Sequence, residues 1–140
     1  MTLIPTNQSG YRQRTAVAAS AFSKGNPLMY NDSSQLSRVP DDWAAGLVVG
    51  VALSDSDESI DSQVPYAEVT KDMEFFADTV EASTFTRGQK VYLDHVSGEY
   101  LVESSGTGVF VITQGTADVQ FPSGVTRVIG KFDSTYLISD

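Results

Sequence analysis

The stretches "FSKGNPLMYND", residues 22–32, and "FTRGQKVYLDH", residues 85–95, repeat one pattern. Each runs from Phe through a hydroxyl residue, a cation, Gly and an amide to an aliphatic residue, two large side chains and Asn or Asp. The glycine breaks the backbone, a short β-type run follows, and a turn leads to the return strands "QLSRV" and "EYLVE". Each copy therefore predicts a β-hairpin.

The repeat continues beyond the hairpins, because a β-branched run with a central glycine follows each copy: "VVGVA" at 48–52 and "VIGKF" at 128–132. These segments predict pseudo-repeats at about 20–52 and 83–132 that close around one shared core. The alternative is a chance match between two glycine-containing segments. The alternating run "AEVTKDMEFF" between the copies predicts a long half-buried strand or a bent pair.

Helix signals are scarce, and we therefore predict an all-β fold: a small β-barrel or a sandwich. At 140 residues the chain suffices for one domain. Residues 1–14 contain Pro5 and Gly10 without helical periodicity, which predicts an extended N-terminal arm before a single β domain at 15–140.

Composition and charge narrow the range of possible functions. The chain has no cysteine, which excludes disulfides and thiolate chemistry. No basic leader with an apolar run and no long apolar span is present, so we expect neither a secreted precursor nor a membrane partner. The net charge is −9, and because the first 31 residues carry +3, the remainder carries −12. An acidic body disfavours nucleic acid, while its basic N-terminal region can meet acidic neighbours.

Candidate catalytic groups are sparse. The single histidine, His95, follows Asp94 at a predicted strand end, where an exposed hairpin histidine is the simpler interpretation. The carboxylate pairs lie two or four residues apart along predicted strands, which is typical of a solvated face; they are Glu99 with Glu103 and Asp72 with Glu74. We therefore expect no enzyme, no catalytic residues and no cofactor.

The acidic loop "SDSDESIDS" at 54–62 is a candidate calcium site, because calcium is bound by several oxygen ligands. The candidate ligands are the carboxylates of Asp55, Asp57, Glu58 and Asp61. Ile60 and Tyr66 stand where an EF-hand loop has Gly and Glu, so we expect a solvated loop and no metal. The glycines of "SSGTGVF" precede a β-run rather than a helix, which argues against a phosphate cradle. Trp43 is either a core residue or an interface anchor, and the core is favoured.

The segments "KGNPLMY…VVGVA" and "RGQKVYLD…VIGKF", with "AEVTKDMEFF" between them, resemble the capsid decoration, or cement, proteins of tailed bacteriophages. The resemblance covers most of residues 15–132 at the level of pattern. It implies a β-barrel or β-tulip domain, commonly a homotrimer, seated on the outside of the phage head. It also implies the major capsid protein as partner, synthesis in the host cytoplasm and a role in stabilising the mature capsid lattice.

An extended basic arm can dock on acidic neighbours or add a strand to an open sheet edge. The candidate partner-binding residues are therefore Tyr11, Arg12 and Arg14. Two alternatives remain: a structural component of a phage tail or baseplate, and a small β module that binds carbohydrate or another ligand. The ligand-binding alternative would use exposed aromatic side chains, for which Tyr30, Tyr92 and Tyr100 are the candidates.

Overall fold

The computed structural model describes residues 3–6, 11–56, 63–80, 85–115 and 127–138. These ranges contain strands and one 3-10 turn, Ser134–Tyr136. The strands are β1 Ile4–Pro5, β2 Gln13–Val17, β3 Pro27–Tyr30, β4 Leu36–Arg38, β5 Gly50–Ala52, β6 Gln63–Glu68, β7 Phe75–Asp78, β8 Lys90–Val96, β9 Glu99–Glu103, β10 Phe110–Gln114 and β11 Arg127–Phe132. Within the described ranges, no helix has the length and hydropathy that crossing a membrane requires.

The strands form two antiparallel sheets. The first sheet has the order β2-β6-β5-β3-β4, and the second has the order β1-β7-β11-β10-β8-β9. Neither closes into a barrel, although a single parallel bridge joins the end of β2 to β4, Ala18 to Leu36, and another joins the end of β7 to β9, Thr79 to Val102. The all-β prediction is confirmed, and of the architectures that the sequence left open, the structure has the sandwich-like arrangement.

The two sheets are built from two units with the same strand order. Strands β2 to β6 form the first unit and β7 to β11 the second. Adding five to each strand number of the first order gives the order of the second sheet, to which β1 is added at the β7 edge. The parallel bridges are equivalent as well, because each joins the end of a unit's first strand to its third strand. The run "AEVTKDMEFF" is the bent pair: β6 ends at Glu68, and β7 begins at Phe75 in the other sheet.

The repeated motif makes the same contacts in both units. Gly25 and Gly88 have positive φ angles of 90° and 88°, a conformation that favours glycine. Gly25 N–H donates to the carbonyl of Ala52 at 2.9 Å, and Gly88 N–H donates to that of Ile112 at 2.7 Å. The amide side chains act alike: Asn26 accepts from Ser23 N–H at 3.0 Å, and Gln89 accepts from Thr86 N–H at 3.2 Å.

The segment of the second unit that is equivalent to "VVGVA" is not the one that the sequence pattern suggests. Leu28 pairs with Gly50, and its counterpart Val91 pairs with Phe110, so the counterpart of "VVGVA" lies in β10 and not in "VIGKF". Matching Gly50 to Gly130 by sequence was therefore wrong. Strand register, which sequence letters do not show, sets the equivalence.

A glycine and an aromatic ring exchange places between the units. In the first unit the ring of Tyr66 lies where a Cβ on Gly50 would be, and in the second the ring of Phe110 lies where a Cβ on Gly130 would be. By register, Gly50 corresponds to Phe110, and Tyr66 corresponds to Gly130. Each unit therefore packs one ring over one glycine. In the first unit the glycine is on β5 and the ring on β6, whereas in the second the ring is on β10, the equivalent of β5, and the glycine on β11, the equivalent of β6.

Two buried clusters form the core. The smaller one takes residues from every strand of the first sheet, which curls around it; among them are Ala16, Leu28, Leu36, Ala52, Val64 and Tyr66. The larger cluster lies between the outer face of the first sheet and the second sheet, and contains Trp43, Val51, Ala67, Phe75, Tyr100, Phe110 and Phe132. The sandwich is thus held by a shared core, as the pseudo-repeat predicts.

The segment predicted as an arm contributes to both sheets where the structure describes it. Ile4 and Pro5 pair with Phe76 and Phe75, and Leu3 is 1% exposed in the larger core. Gln13 and Arg14 belong to β2 and pair with β6. These residues are extended, as predicted, but they pack on the domain; the division of the chain at residue 14 stays a prediction.

Candidate functional site

The three predicted partner-binding residues lie at the start of β2, with different surroundings. The side chain of Tyr11 is 45% exposed, and Arg12 is exposed while its carbonyl accepts a 2.9 Å hydrogen bond from Glu68 N–H. Arg14 Nε donates to the Glu68 carboxylate across the β2–β6 pair. This hydrogen bond raises the pKa of Arg14, which keeps the guanidinium charged. Arg14 is therefore a fixed part of the sheet surface, while Tyr11 and Arg12 point outward.

A cleft of about 630 Å³ opens beside the smaller core and includes Arg14. Glu68, Tyr30 and Tyr66 join it there, and the hydroxyl groups of the two tyrosines are hydrogen-bonded to each other. Burial, reinforced by the bond to Tyr30, raises the pKa of Tyr66. The cleft therefore presents an ion pair beside a hydrogen-bonded pair of tyrosines.

Of the three tyrosines considered for ligand binding, Tyr30 alone lines this cleft. Tyr92 lies on the second sheet, and its hydroxyl donates to the carbonyl of Asp41 at 3.0 Å. Tyr100 is fully buried; its hydroxyl donates to the carbonyl of Val39 at 2.7 Å and accepts from Arg38 at 2.7 Å. Burial raises the pKa of Tyr100 to about 12, outweighing the opposing effect of Arg38. These side chains do not form the continuous aromatic face that the sequence suggested.

The candidate catalytic groups are dispersed. The His95 ring lies 5.0 Å from the ring of Tyr100, centroid to centroid, in a tilted contact. Glu74 accepts a 2.8 Å hydrogen bond from Thr113 Oγ1, and Glu103 accepts one of 3.3 Å from Ser105 Oγ. In the part of the chain that the structure describes, no three His, Asp or Glu side chains gather into a possible metal site.

The acidic loop is described only up to Ser56; Asp57, Glu58 and Asp61 lie outside the described residues. The Asp55 carboxylate accepts a 2.7 Å hydrogen bond from Lys24 N–H and so holds the motif turn of the first unit. Trp43 is 7% exposed, and its Nε1–H points to the carbonyl of Leu93 at 3.3 Å, which confirms the core position.

Sequence reasoning missed most of the cleft. Tyr66 and Glu68 lie on β6 and Ile138 lies in the C-terminal segment, and none of the three belongs to a sequence motif. The signal that identifies them is the comparison of the two units, which needs the strand register. Position by position, that comparison shows which residues of one unit depart from the apolar packing of the other.

Comparison with solved structures finds a similar fold. The chain is similar to the N base of the head fiber protein gp8.5 of bacteriophage phi29, with a TM-score of 0.50 and 16% sequence identity, over 93% of this chain and 100% of that one. No family model matches the chain, and neither does a curated protein. At this identity the similarity shows the fold.

Proposed function

We propose that the chain is a non-enzymatic structural protein of a bacteriophage virion, which binds the outside of the capsid and stabilises the mature major-capsid lattice. The observation that carries the proposal is the fold, shared over nearly the whole chain with the base of a phage head fiber. The sequence resemblance to phage decoration proteins points to the same class of protein. The partner under this proposal is the major capsid protein, and the assembly is a homotrimer on the capsid surface.

The start of β2 is the proposed contact surface. Tyr11 and Arg12 are exposed neighbours, and Tyr and Arg are the residue types most often found to dominate binding energy at protein interfaces. Arg14 adds a positive charge whose position the Glu68 carboxylate fixes. Tyr11 and Arg12 directly precede β2, and the Arg12 carbonyl accepts a hydrogen bond from Glu68 N–H, so this ordered segment binds with less loss of conformational entropy than a flexible arm.

Capsid stabilisation follows from such binding by mass action. A protein that binds only the expanded lattice shifts the equilibrium toward that lattice. Three copies held in one trimer raise the effective concentration of each contact, so individually weak contacts suffice. The net charge of −9 keeps a dense layer of copies mutually repulsive and soluble.

The test is co-sedimentation with expanded and unexpanded empty heads of the phage that encodes the chain. Deletion of residues 1–14 is unsuitable, because it removes buried Leu3, β1 and part of β2. Point variants Tyr11→Ala and Arg12→Glu are cleaner, and Lys24→Glu, exposed at the motif turn, makes the same charge change elsewhere.

The wild type should sediment with expanded heads only. Tyr11→Ala and Arg12→Glu should each weaken binding about tenfold or more, the effect of losing about 1.4 kcal/mol at an interface hot spot. Lys24→Glu should bind as the wild type does. Absence of binding to either head form would refute the capsid proposal, whereas binding to isolated tails would favour the tail or baseplate alternative.

A further inference from the structure

The cleft lies at the place where three aromatic rings pack together in the second unit. Arg14 pairs with Tyr66, and in the second unit Phe75 pairs with Gly130, the counterpart of Tyr66. Arg14 therefore corresponds to Phe75. Glu68 pairs with Gly50 as Phe132 pairs with Phe110, which makes Glu68 and Phe132 counterparts.

In the second unit these positions are ordinary core. Phe75, Phe110 and Phe132 are each no more than 1% exposed, and Phe132 packs edge-on against the other two rings at 5.7 and 5.5 Å between centroids. The same backbone arrangement can thus hold three packed rings at these positions. The first unit has a guanidinium, a carboxylate and a glycine there instead, and its cleft stays open.

The polar groups of the cleft are positioned by one another yet remain accessible. The side chains of Arg14 and Glu68 are 45% and 36% exposed, and Tyr30 is 37% exposed. A guanidinium has five N–H donors and a carboxylate about four acceptor sites, so their mutual bond leaves further capacity for hydrogen bonds. The cleft offers fixed donors and acceptors together.

An apolar wall completes the cleft, from the end of the first sheet and the C-terminal segment: Val49, Val69, Leu137 and Ile138. Ile138 is 46% exposed, an unusual position for a large aliphatic side chain in this molecule. Thr70, Lys71 and Ser134 complete the lining, so apolar and polar side chains share it, and its volume lies within the range of about 300–1,000 Å³ that is typical of small-ligand sites.

The chemistry selects among ligands. Arg14 and Glu68 neutralise each other, and the exposed Lys71 adds a further hydrogen-bond donor, so the cleft presents donors and acceptors together. A sugar ring meets all the conditions: its hydroxyl groups both donate and accept, and its C–H face packs on an exposed tyrosine ring. We infer that the cleft at Arg14, Tyr30 and Glu68 is a binding site for a sugar unit of a glycan.

This site shares Arg14 with the proposed capsid contact, but the two are tested through different residues: Tyr30 and Glu68 for the cleft, and Tyr11 and Arg12 for the capsid contact. The test is titration of the full-length, ¹⁵N-labelled protein with maltose, lactose and chitobiose, following amide shifts by NMR. At least one of the three should bind with a dissociation constant in the millimolar range or tighter, with shifts in β2, β6 and the C-terminal segment.

Three variants test the assignment. Tyr30→Ala removes the exposed ring, and Glu68→Gln keeps the shape of the side chain while removing its charge. Val96→Ala is the matched control, an exposed apolar residue on the β8–β9 hairpin with 40% exposure. Fluorescence of the single tryptophan, Trp43, checks that each variant is folded.

Tyr30→Ala and Glu68→Gln should each weaken sugar binding at least about tenfold, and Val96→Ala should leave it unchanged. The inference is overturned if none of the three disaccharides binds. It is equally overturned if binding occurs but either cleft variant binds as tightly as the wild type. Neither result would affect capsid binding, so failure of this inference and of the proposed function are distinguishable.

Discussion

The exchange of glycine and ring between the two units predicts a specific energetic coupling. A Cβ on Gly130 would enter the ring of Phe110 and lie 2.6 Å from the carbonyl oxygen of Val111, a backbone atom that cannot move without disturbing the sheet. Overpacking of this kind costs about 1–3 kcal/mol. We expect Gly130→Ala to lower the free energy of unfolding by about 2 kcal/mol, toward the upper part of that range because backbone is involved.

Phe110→Leu shortens the ring side chain that causes part of the clash. Alone it should cost about 1–2 kcal/mol, less than the roughly 3–5 kcal/mol of a full truncation to Ala. In the double variant Gly130→Ala, Phe110→Leu the new methyl group partly fills the space that the ring leaves. The double variant should therefore lose at least about 1 kcal/mol less stability than the sum of the two single losses, since residues in contact couple in this range.

The assay is urea unfolding followed by the fluorescence of Trp43, whose ring lies 6.3 Å from that of Phe132 in the same core. The control pairs Phe110→Leu with Gly50→Ala, which introduces the corresponding clash with Tyr66 in the other sheet. That pair should be additive within about 0.5 kcal/mol. Additivity of Gly130→Ala with Phe110→Leu would refute the packing of this ring over this glycine.

Three further outcomes are expected. Burial raises the pKa of Tyr100 to about 12 from the ordinary 10.0. The contribution of the protonated phenol to the free energy of unfolding should therefore be intact below about pH 10 and fall as the pH rises toward 12, by about 3 kcal/mol in all. Tyr100→Phe should remove that part of the pH dependence in urea unfolding, and equal slopes for both proteins would contradict the assignment. Asn26→Ala should cost about 1–3 kcal/mol in the same assay, because the buried amide donates to the carbonyl of Gly98 at 2.9 Å and ties the two units together; a change under about 0.5 kcal/mol would refute that role. Arg12→Glu should leave thermal unfolding unchanged within about 0.5 kcal/mol, as expected of an exposed surface residue; a larger loss would show that its effect on capsid binding is indirect.

The sequence was sufficient to predict the hairpins and their repetition, because a glycine with positive φ and a side-chain amide are local requirements of the motif turn. The match of "VVGVA" to "VIGKF" failed because similar letters fall on strands with different neighbours. The N-terminal segment lacks periodicity, so its sequence gave no sign that Leu3 is buried in the core.

The cleft was beyond prediction for a similar reason. Arg14, Tyr30, Glu68 and Ile138 lie on separate segments of the chain, and only pairing and curling of the first sheet bring them together. Arg14 and Tyr30 were both considered from sequence, Arg14 as a partner contact and Tyr30 as an aromatic candidate for ligand binding. Their position in one cleft follows from tertiary structure alone.

The proposal that the chain binds the outside of a phage capsid is tested most directly by electron cryo-microscopy of expanded heads incubated with an excess of the full-length protein. We predict added density on the outer surface at defined lattice positions, with the start of β2 against the major capsid protein. Heads without added density at saturating protein concentration would contradict the proposal.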